Sequence, residues 1–316
     1  MMERGSLHFP RDRRENRVTV VVLTHNRAHE VLRTIGHLAR LPEAPTIIVM
    51  DNASSDGTSR QIAERYPAVQ VLRMDTNMGA AARNAGIRHA TTKYVALCDD
   101  DTWWTEGSLG LAADAMDRHA HVAVVTARVM VGPDRREDPT CRAMAESPLP
   151  RSADLPGPAI LGFLAGASMV RRSALLEVGG FEPRFFLGGE EALVAYDLIE
   201  AGWSMLYLAE ATVWHMPSPH RDSALRRRHL VRNALWLAWM RRPYASAWRE
   251  TRRTLERLRT DPAVRNGFLE ALKGLPWVWR RRRAISPPVE TLVRMLDRSD
   301  GPRQVGRELS KQPAHR

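Results

Sequence analysis

The chain has 316 residues, of which 44% are hydrophobic and 26% are charged, with a formal net charge of +11. This length fits one large α/β domain and a smaller appendage, because domains commonly span about 100–200 residues. Only Cys98 and Cys141 are present, which excludes a disulfide-based scaffold and fits a reducing compartment. The charge is uneven: residues 216–316 hold 24 Lys and Arg against 9 Asp and Glu, or +15, whereas residues 1–215 carry −4.

Short apolar runs alternate with helix-like periodicity between residues 18 and 125. Five runs rich in apolar, largely β-branched residues are predicted strands: 18–24, 46–50, 69–72, 94–98 and 122–125. The alternation predicts an α/β fold with a mostly parallel sheet, in which ligands bind beyond the carboxyl ends of the strands. Four polar residues lie at or just after these ends: Thr24, Asp51, Asn77 and Asp99. We therefore expect them to converge on one edge of the sheet.

The predicted strand 94–98 runs directly into three acids, Asp99, Asp100 and Asp101. Carboxylates this close repel one another, so a bound cation or exposure to water must compensate. A divalent metal site is one interpretation, and a solvated acidic turn is the alternative that would be favoured for an isolated triplet. The chain has neither a glycine-rich dinucleotide loop nor a Walker sequence, so a bound diphosphate would need neutralising by other means, such as a cation at these acids.

Residues 132–191 are less regular than the alternating strands and helices that precede them. Six prolines and mixed charges predict a long mobile loop over residues 132–158. After an apolar run at 160–170, a short helix over 171–178 should stop at two glycines. The acidic pair Glu190 and Glu191 precedes a further predicted helix, where the helix dipole alone is a structural reason for two acids.

Six segments, in this order, resemble family 2 glycosyltransferases of the GT-A fold, and the likeness covers about residues 18–220. One such segment would be a weak signal, whereas six in order are specific. The resemblance implies a Rossmann-like sheet flanked by helices, and an inverting enzyme similar to the rhamnosyltransferase-like bacterial enzymes of glycan assembly. The matching segments are 20–27, 51–58, 77–79 with 82–86, 99–101, 179–181 with 184–186, and 190–191.

The resemblance implies roles for individual residues in binding a nucleotide diphosphate sugar. Asp51 can accept from a pyrimidine imide N–H, which favours UDP or dTDP, although an Asx-turn or helix-capping role is an equal alternative for this residue alone. The implied donor-binding residues are Thr24, Asn26, Arg27, Asp51, Arg83, Asp99 and Asp100. The implied ligands of Mn²⁺ or Mg²⁺ are Asp101, Asp99 and His215, which ends a predicted strand at 212–215. Imidazole suits Mn²⁺ better than Mg²⁺, although a strand-end histidine is as often structural.

Family members usually carry Glu-Asp where this chain has Glu190 and Glu191, and the second acid is typically the catalytic base. We therefore favour Glu191 as the base, with Glu190 as the alternative. The family often has a further Asp where this chain has Leu193. This difference affects the prediction of the acceptor class more than the prediction of donor binding.

Residues 221–298 change to helical periodicity and predict a basic amphipathic extension, whose apolar stretch 234–240 is far too short to cross a bilayer. Trp277 and Trp279 stand beside four arginines, which favours contact with an anionic membrane surface. A helix packed on the catalytic domain is the alternative, and nucleic-acid binding is less favoured because no binding motif accompanies the charge. We expect residues 299–316 to be disordered.

The terminal segment 1–16 is charged and lacks the apolar stretch of a signal peptide, so we predict a flexible N-terminus and a cytoplasmic protein. The basic extension predicts peripheral association with the inner face of the membrane. The predicted function is metal-dependent transfer of a sugar from a nucleotide diphosphate sugar to a hydroxyl of a glycan, a lipid-linked glycan or another acceptor. Two alternatives stay open: a nucleotidyl or phosphoryl transferase on a similar sheet, and a non-catalytic protein that binds nucleotide sugars or glycans.

Overall fold

Nine strands form one sheet within the residues that the computed structural model describes, 15–218 and 223–299. The predicted flexible segment 1–16 and the predicted tail 299–316 lie almost wholly outside these residues and stay predictions. The strands are β1 Val18–Thr24, β2 Thr46–Asp51, β3 Gln70–Arg73, β4 Tyr94–Asp99, β5 Thr102–Trp104, β6 Val122–Val131, β7 Arg136–Glu137, β8 Ser168–Arg171 and β9 Ser204–His215.

The strand order is β3-β2-β1-β4-β8-β6-β9-β5, with β7 paired to β6. Strands β1 to β4 are parallel, as the βα alternation predicts, and β6 is parallel to β9. The later part is mixed, because β8 runs antiparallel to both β4 and β6, and β5 runs antiparallel to β9. The α/β prediction is therefore confirmed, with more antiparallel pairing than the sequence indicates.

Strand register brings the predicted polar residues to one edge. Thr24 pairs with Asp51 at the ends of β1 and β2, and Leu23 pairs with Asp99 at the end of β4. The carboxyl ends of parallel strands necessarily share an edge, so the convergence follows from three local strand assignments.

Twelve α-helices accompany the sheet in the described part of the chain. They are α1 Ala28–Leu38, α2 Thr58–Arg65, α3 Arg83–His89, α4 Ser108–Arg118, α5 Pro139–Ala145, α6 Arg172–Glu177, α7 Glu190–Glu200, α8 Ser223–Arg241, α9 Tyr244–Arg257, α10 Pro262–Lys273, α11 Leu275–Arg280 and α12 Pro287–Ser299. None of the described helices is long and apolar enough to cross a membrane.

The prediction of a long mobile loop over 132–158 is wrong for its first half. Strand β7 pairs with β6, and helix α5 follows it with its Cys141 side chain fully buried. Asp138 caps α5 by accepting a 2.8 Å hydrogen bond from the Thr140 N–H. Pro139, one of the six prolines on which the loop prediction rests, begins α5 instead, because proline is well tolerated in the first turn of a helix.

The C-terminal extension packs on the sheet domain through an aromatic cluster. Phe185, which precedes α7, lies 6.0 Å from the Trp236 ring and 6.4 Å from the Trp277 ring, measured between ring centroids. Trp236 also donates a 3.0 Å hydrogen bond to the Ala271 carbonyl, which ties α8 to α10. Trp277 is thus part of an internal contact, as the packing alternative predicts, whereas Trp279 is 50% exposed.

Candidate active site

Of the three acids at the end of β4, the first pairs with Arg83, and the other two lie 3.0 Å and 3.7 Å from the guanidinium of Arg27. Asp99 is 44% exposed at its side chain and forms an ion pair with the nearly buried Arg83. Asp100 and Asp101 are both buried, which rules out the solvated acidic turn. A run of identical side chains is therefore divided into three distinct electrostatic roles.

Asp100 is neutralised from within the protein. Its Oδ2 atom accepts a 3.1 Å hydrogen bond from the Thr24 hydroxyl, and its Oδ1 atom lies 3.0 Å from the Arg27 guanidinium. Burial raises the pKa of Asp100 to about 7, against the opposing charge of Arg27, and the neighbouring Asp101 and Asp99 add to the rise. Thr24 and Arg27, both predicted to bind the donor, thus also hold the acid triplet in place.

Asp101 lies beside His215 because two strands pair. Thr102 of β5 is opposite His215 at the end of β9, so the residue before β5 meets the last residue of β9. The Oδ1 atom of Asp101 lies 3.7 Å from Nε2 of His215, and its Oδ2 atom accepts a 3.3 Å hydrogen bond from the Ser218 N–H. A carboxylate and an imidazole that face each other provide oxygen and nitrogen ligands suited to Mn²⁺.

The predicted third ligand is not part of this arrangement. Among residues 15–218 and 223–299, no group of three or more His, Cys, Asp or Glu side chains could hold a metal ion. Asp99 is instead engaged by Arg83. Asp101 and His215 fit a metal site in which the remaining positions belong to the substrate or to water, which is the open arrangement of catalytic metal centres.

Asp51 is completely buried and makes internal contacts. Its Oδ1 atom accepts a 2.8 Å hydrogen bond from the Ser54 N–H, and its Oδ2 atom accepts from the Ser59 hydroxyl. Arg73 lies 3.6 Å away. These are the contacts of the turn and capping alternative. Asn26 has a related role, since its Oδ1 atom accepts a 2.7 Å hydrogen bond from the Ser55 N–H.

Asn52, to which the sequence analysis assigns no role, links the matching segments 51–58 and 77–79. Its amide donates to Asn77 Oδ1 at 2.8 Å and to the Gly79 carbonyl at 3.0 Å. The backbone N–H of Ala80, the residue after Gly79, donates a 2.7 Å hydrogen bond to the Phe186 carbonyl. A Cβ on Gly79 would overlap that carbonyl, and φ is +56° there, so glycine is required.

Arg83 connects the acid triplet to the Glu190 and Glu191 pair. It forms the ion pair with Asp99, and its guanidinium carbon lies 5.8 Å from the centre of the Phe181 ring. Its charge favours ionisation of both glutamates, whereas the charge of Asp99 opposes it. Segments that are far apart in the chain therefore form one electrostatic group.

Glu190 and Glu191 begin α7 after two left-handed glycines, Gly188 and Gly189. Glu190 is 3% exposed, and its Oε2 atom has no hydrogen-bond partner among the described residues. Burial, with the charge of Glu191 adding to it, raises the pKa of Glu190 to about 8. Burial also raises the pKa of Glu191, which is only partly buried. The more accessible carboxylate is the one that the family pattern favours as base.

The glycine loop before α7 is held by a residue that the sequence analysis did not identify. Asn233 of α8 is 1% exposed, and its Nδ2 atom lies 2.8 Å from the Phe185 carbonyl and 2.6 Å from the Gly188 carbonyl. An asparagine within a predicted amphipathic helix carries no local signal of such a contact, because the partner lies in a different segment.

The model of glycosyl transferase family 2 matches residues 19–179, about half of the chain. The chain belongs to this family. The protein is therefore a glycosyltransferase, which sets aside the two alternatives of a nucleotidyl transferase and a non-catalytic binding protein.

Curated relatives of this family 2 glycosyltransferase include two from Mycobacterium tuberculosis. An N-acetylglucosaminyl-diphospho-decaprenol L-rhamnosyltransferase is 27% identical over 234 residues, which cover 62% of this chain and 75% of the relative. A pre-mycofactocin glycosyltransferase is 32% identical over 208 residues, and the match spans 63% of this chain but only 42% of the relative.

Solved structures of GT-A glycosyltransferases resemble this family 2 enzyme in fold. A mannosyltransferase from Pyrobaculum calidifontis, in complex with GDP-Man and Mn²⁺, has a TM-score of 0.54 at 20% identity, covering 90% of this chain and 80% of that one. GalNAc-T7 with UDP, GalNAc and Mn²⁺ also has a TM-score of 0.54, at 15% identity, over 72% of this chain and 51% of that one. The GT-A prediction is confirmed.

Proposed function

We propose that this enzyme is a metal-dependent, inverting glycosyltransferase that moves a sugar from a nucleotide diphosphate donor to a hydroxyl of a lipid-linked glycan. The observation that carries the proposal is the position of Arg83. It forms an ion pair with Asp99, and its charge lowers the pKa of both glutamates against the effect of their burial, which supports one site for the leaving diphosphate and the acceptor.

Glu191 is the proposed base that removes the proton from the acceptor hydroxyl. The hydroxyl oxygen then bonds to the anomeric carbon, and the bond from that carbon to the diphosphate breaks on the opposite side. Burial raises the pKa of Glu191, which makes it a stronger base than an exposed glutamate. Glu190 is 3% exposed, whereas Glu191 is only partly buried, so Glu190 is less accessible to an acceptor and is the less suitable base.

Asp101 and His215 are the proposed protein ligands of Mn²⁺ or Mg²⁺. The bound ion would act as a Lewis acid that offsets negative charge on the departing diphosphate. Asp99, through its pair with Arg83, is assigned to orienting the donor rather than to binding the ion. While one N–H of Arg83 donates to Asp99, another can donate a hydrogen bond to a phosphate oxygen, since a guanidinium has five donors.

The donor is proposed to carry a pyrimidine nucleotide, UDP or dTDP. UDP is also the nucleotide bound in the GalNAc-T7 structure, although that likeness concerns the fold alone. Because both carboxylate oxygens of Asp51 have internal partners, we assign it to shaping the base pocket through Ser54 and Ser59. The exposed Asn26 and the neighbouring backbone are then the groups able to reach the base.

A lipid-linked acceptor is supported by the relative named for decaprenol and by the surface of the extension. Tyr244, Trp248 and Trp279 are 54%, 61% and 50% exposed and form one aromatic patch around Trp239, with centroid distances of 5.2–6.4 Å. Arg282 lies 4.1 Å from the centre of the Tyr244 ring. Aromatic rings beside cationic groups suit the interface of an anionic bilayer, and we assign this patch to reversible membrane contact.

The proposed function is tested by the variants Glu191→Gln and Glu190→Gln, assayed with a panel of UDP- and dTDP-sugars in Mn²⁺. Release of the nucleoside diphosphate and formation of the glycosylated acceptor are both measured. Glu191→Gln should lower kcat by roughly 10²–10⁴-fold with unchanged donor affinity, and Glu190→Gln should keep most activity. Full activity in both variants would contradict the proposal. If only Glu190→Gln is inactive, the base is Glu190 and not Glu191.

A further inference from the structure

The segment Phe185–Gly189, which leads into the glutamate pair, has an unusual backbone. Phe186 has φ of +62° and ψ of −67°, and the Leu187 N–H donates a 2.7 Å hydrogen bond to the Phe185 carbonyl, which defines a rare, strained γ-turn. Gly188 and Gly189 follow with φ of +86° and +82°. Strained backbone persists only where the surroundings hold it in place.

Asn233 supplies much of that restraint from the extension. Its Nδ2 atom donates to the carbonyls of Phe185 at 2.8 Å, Gly188 at 2.6 Å and Leu187 at 3.2 Å, with one N–H shared. The orientation of this amide is determined by Arg232, whose Nε–H donates a 3.0 Å hydrogen bond to Oδ1. The nitrogen must therefore face the three carbonyls.

Arg232 reinforces the same segment. Its terminal nitrogen donates a 2.7 Å hydrogen bond to the Phe185 carbonyl, and its guanidinium carbon lies 4.6 Å from the centre of the Trp236 ring. On the other side, Leu230 lies so close to Gly188 that a Cβ there would be only 3.0 Å away. One face of α8 thus contacts the loop that ends immediately before Glu190.

We propose that Asn233 is a positioning residue for the catalytic base, so that the C-terminal extension completes the active site. This inference rests on the proposed function, because it acts through the glutamate pair. Nδ2 holds the carbonyl two residues before Glu190, and the start of α7 follows directly from that carbonyl. Among the described residues, the side chain of Asn233 makes no hydrogen bond to the proposed donor-binding residues Thr24, Asp51 or Asp99, so donor affinity should depend on it far less than kcat does.

The test is a double-variant cycle between Asn233→Ala and Glu191→Gln, using the UDP- or dTDP-sugar from the panel that gives the highest turnover. Alone, Asn233→Ala should lower kcat by roughly ten- to a hundredfold, with the donor KM changed by less than about twofold. In the Glu191→Gln background the same change should have little further effect on kcat, because the base has already been removed. The cycle is repeated with Glu190→Gln in case the two glutamates exchange roles.

Two further variants separate positioning from stability. Ser246→Ala removes a buried 2.6 Å hydrogen bond to Glu290 elsewhere in the extension and should leave kcat unchanged. Asn233→Ser keeps one donor and should have an intermediate kcat, and it replaces Asn233→Ala in the cycle if that variant does not fold. If the Asn233 substitution lowers kcat by the same factor in every background, the inference is overturned. The proposed function would still stand in that case, provided that Glu191→Gln alone is inactive. If neither glutamine variant loses activity, the proposed function itself fails.

Discussion

The Nε2 atom of His215 lies 3.7 Å from the Oδ1 atom of Asp101, although the two residues belong to segments far apart in the chain. The contact depends on antiparallel pairing of β5 with the end of β9, which sets Thr102 opposite His215. A metal site at this point therefore depends on a backbone pairing as well as on its two ligands.

Asp101→Asn and His215→Ala should each weaken Mn²⁺-dependent binding of UDP, while binding without metal stays as in the wild type. Asp101→Asn should have the larger effect because it removes a negative ligand. Calorimetry with and without Mn²⁺ measures this, and electron paramagnetic resonance of Mn²⁺ gives a second readout. Asp134→Asn, in an exposed turn, is the control. Wild-type Mn²⁺ dependence in both site variants would refute the ligand assignment.

Glu190→Gln should stabilise the protein more at pH 8 than at pH 5. Because burial raises the pKa of Glu190 from 4.5 to about 8, the folded state binds a proton that the unfolded chain has released. Wild-type stability therefore falls as the pH rises through this window, whereas glutamine cannot ionise. Thermal unfolding at both pH values measures the difference, with the exposed Glu64→Gln as control. A pH-independent difference would contradict a protonated Glu190.

Arg83→Lys should weaken nucleotide binding by roughly 10- to 100-fold, although the charge is retained. A hydrogen bond to a charged group contributes about 1.5–3 kcal/mol, and lysine cannot contact Asp99 and a phosphate with the planar geometry of a guanidinium. Calorimetric titration with UDP or dTDP measures the change. Arg60→Lys on the surface of α2 serves as the control, and an unchanged affinity for Arg83→Lys would remove this residue from the donor site.

Trp236→Ala should lower the stability of the protein much more than Trp248→Ala does. Trp236 of α8 is 7% exposed and packs against α10, so its loss should lower the free energy of unfolding by about 3–5 kcal/mol. Trp248 is 61% exposed, so its loss should change that free energy by about 0.5 kcal/mol or less. Chemical denaturation measures both.

In vesicle sedimentation, wild-type protein should bind phosphatidylglycerol vesicles at low salt, and Trp248→Ala combined with Trp279→Ala should weaken that binding. High salt should weaken it as well, because the attraction is screened over about a Debye length. Leu176→Ala, an exposed apolar residue of the sheet domain, is the control. If the wild-type protein stays in the supernatant at low salt, the membrane assignment is wrong and the aromatic patch is instead a surface for binding another protein.

Removal of residues 270–316 looks, from the sequence, like a direct way to test the membrane role. The structure argues against it, because Trp277 contacts Phe185 and Ala271 accepts the Trp236 hydrogen bond. Ser286 also donates a 2.8 Å hydrogen bond to Glu200 at the end of α7. Truncation should therefore destabilise the segment Phe185–Gly189 before α7, and point substitutions are the sharper test.

The sequence by itself determined the α/β class, the strands β1, β2 and β4, and the convergence of Thr24, Asp51 and Asp99 on one edge. These features depend on local apolar runs that end in polar residues, and parallel pairing then aligns their ends. The glycine stop after α6 was equally local, since Gly179 and Gly180 have φ of +85° and +71°.

Only the tertiary structure decided how the acids divide their roles. Asp99, Asp100 and Asp101 have the same side chain, and their surroundings come from α3, from β1 with the nearby Arg27, and from β9, so no local pattern could distinguish them. The same is true of Asn233, whose hydrogen bonds reach a loop before α7. Burial, strand pairing and contacts between distant segments set these environments, and they exist only once the chain has folded.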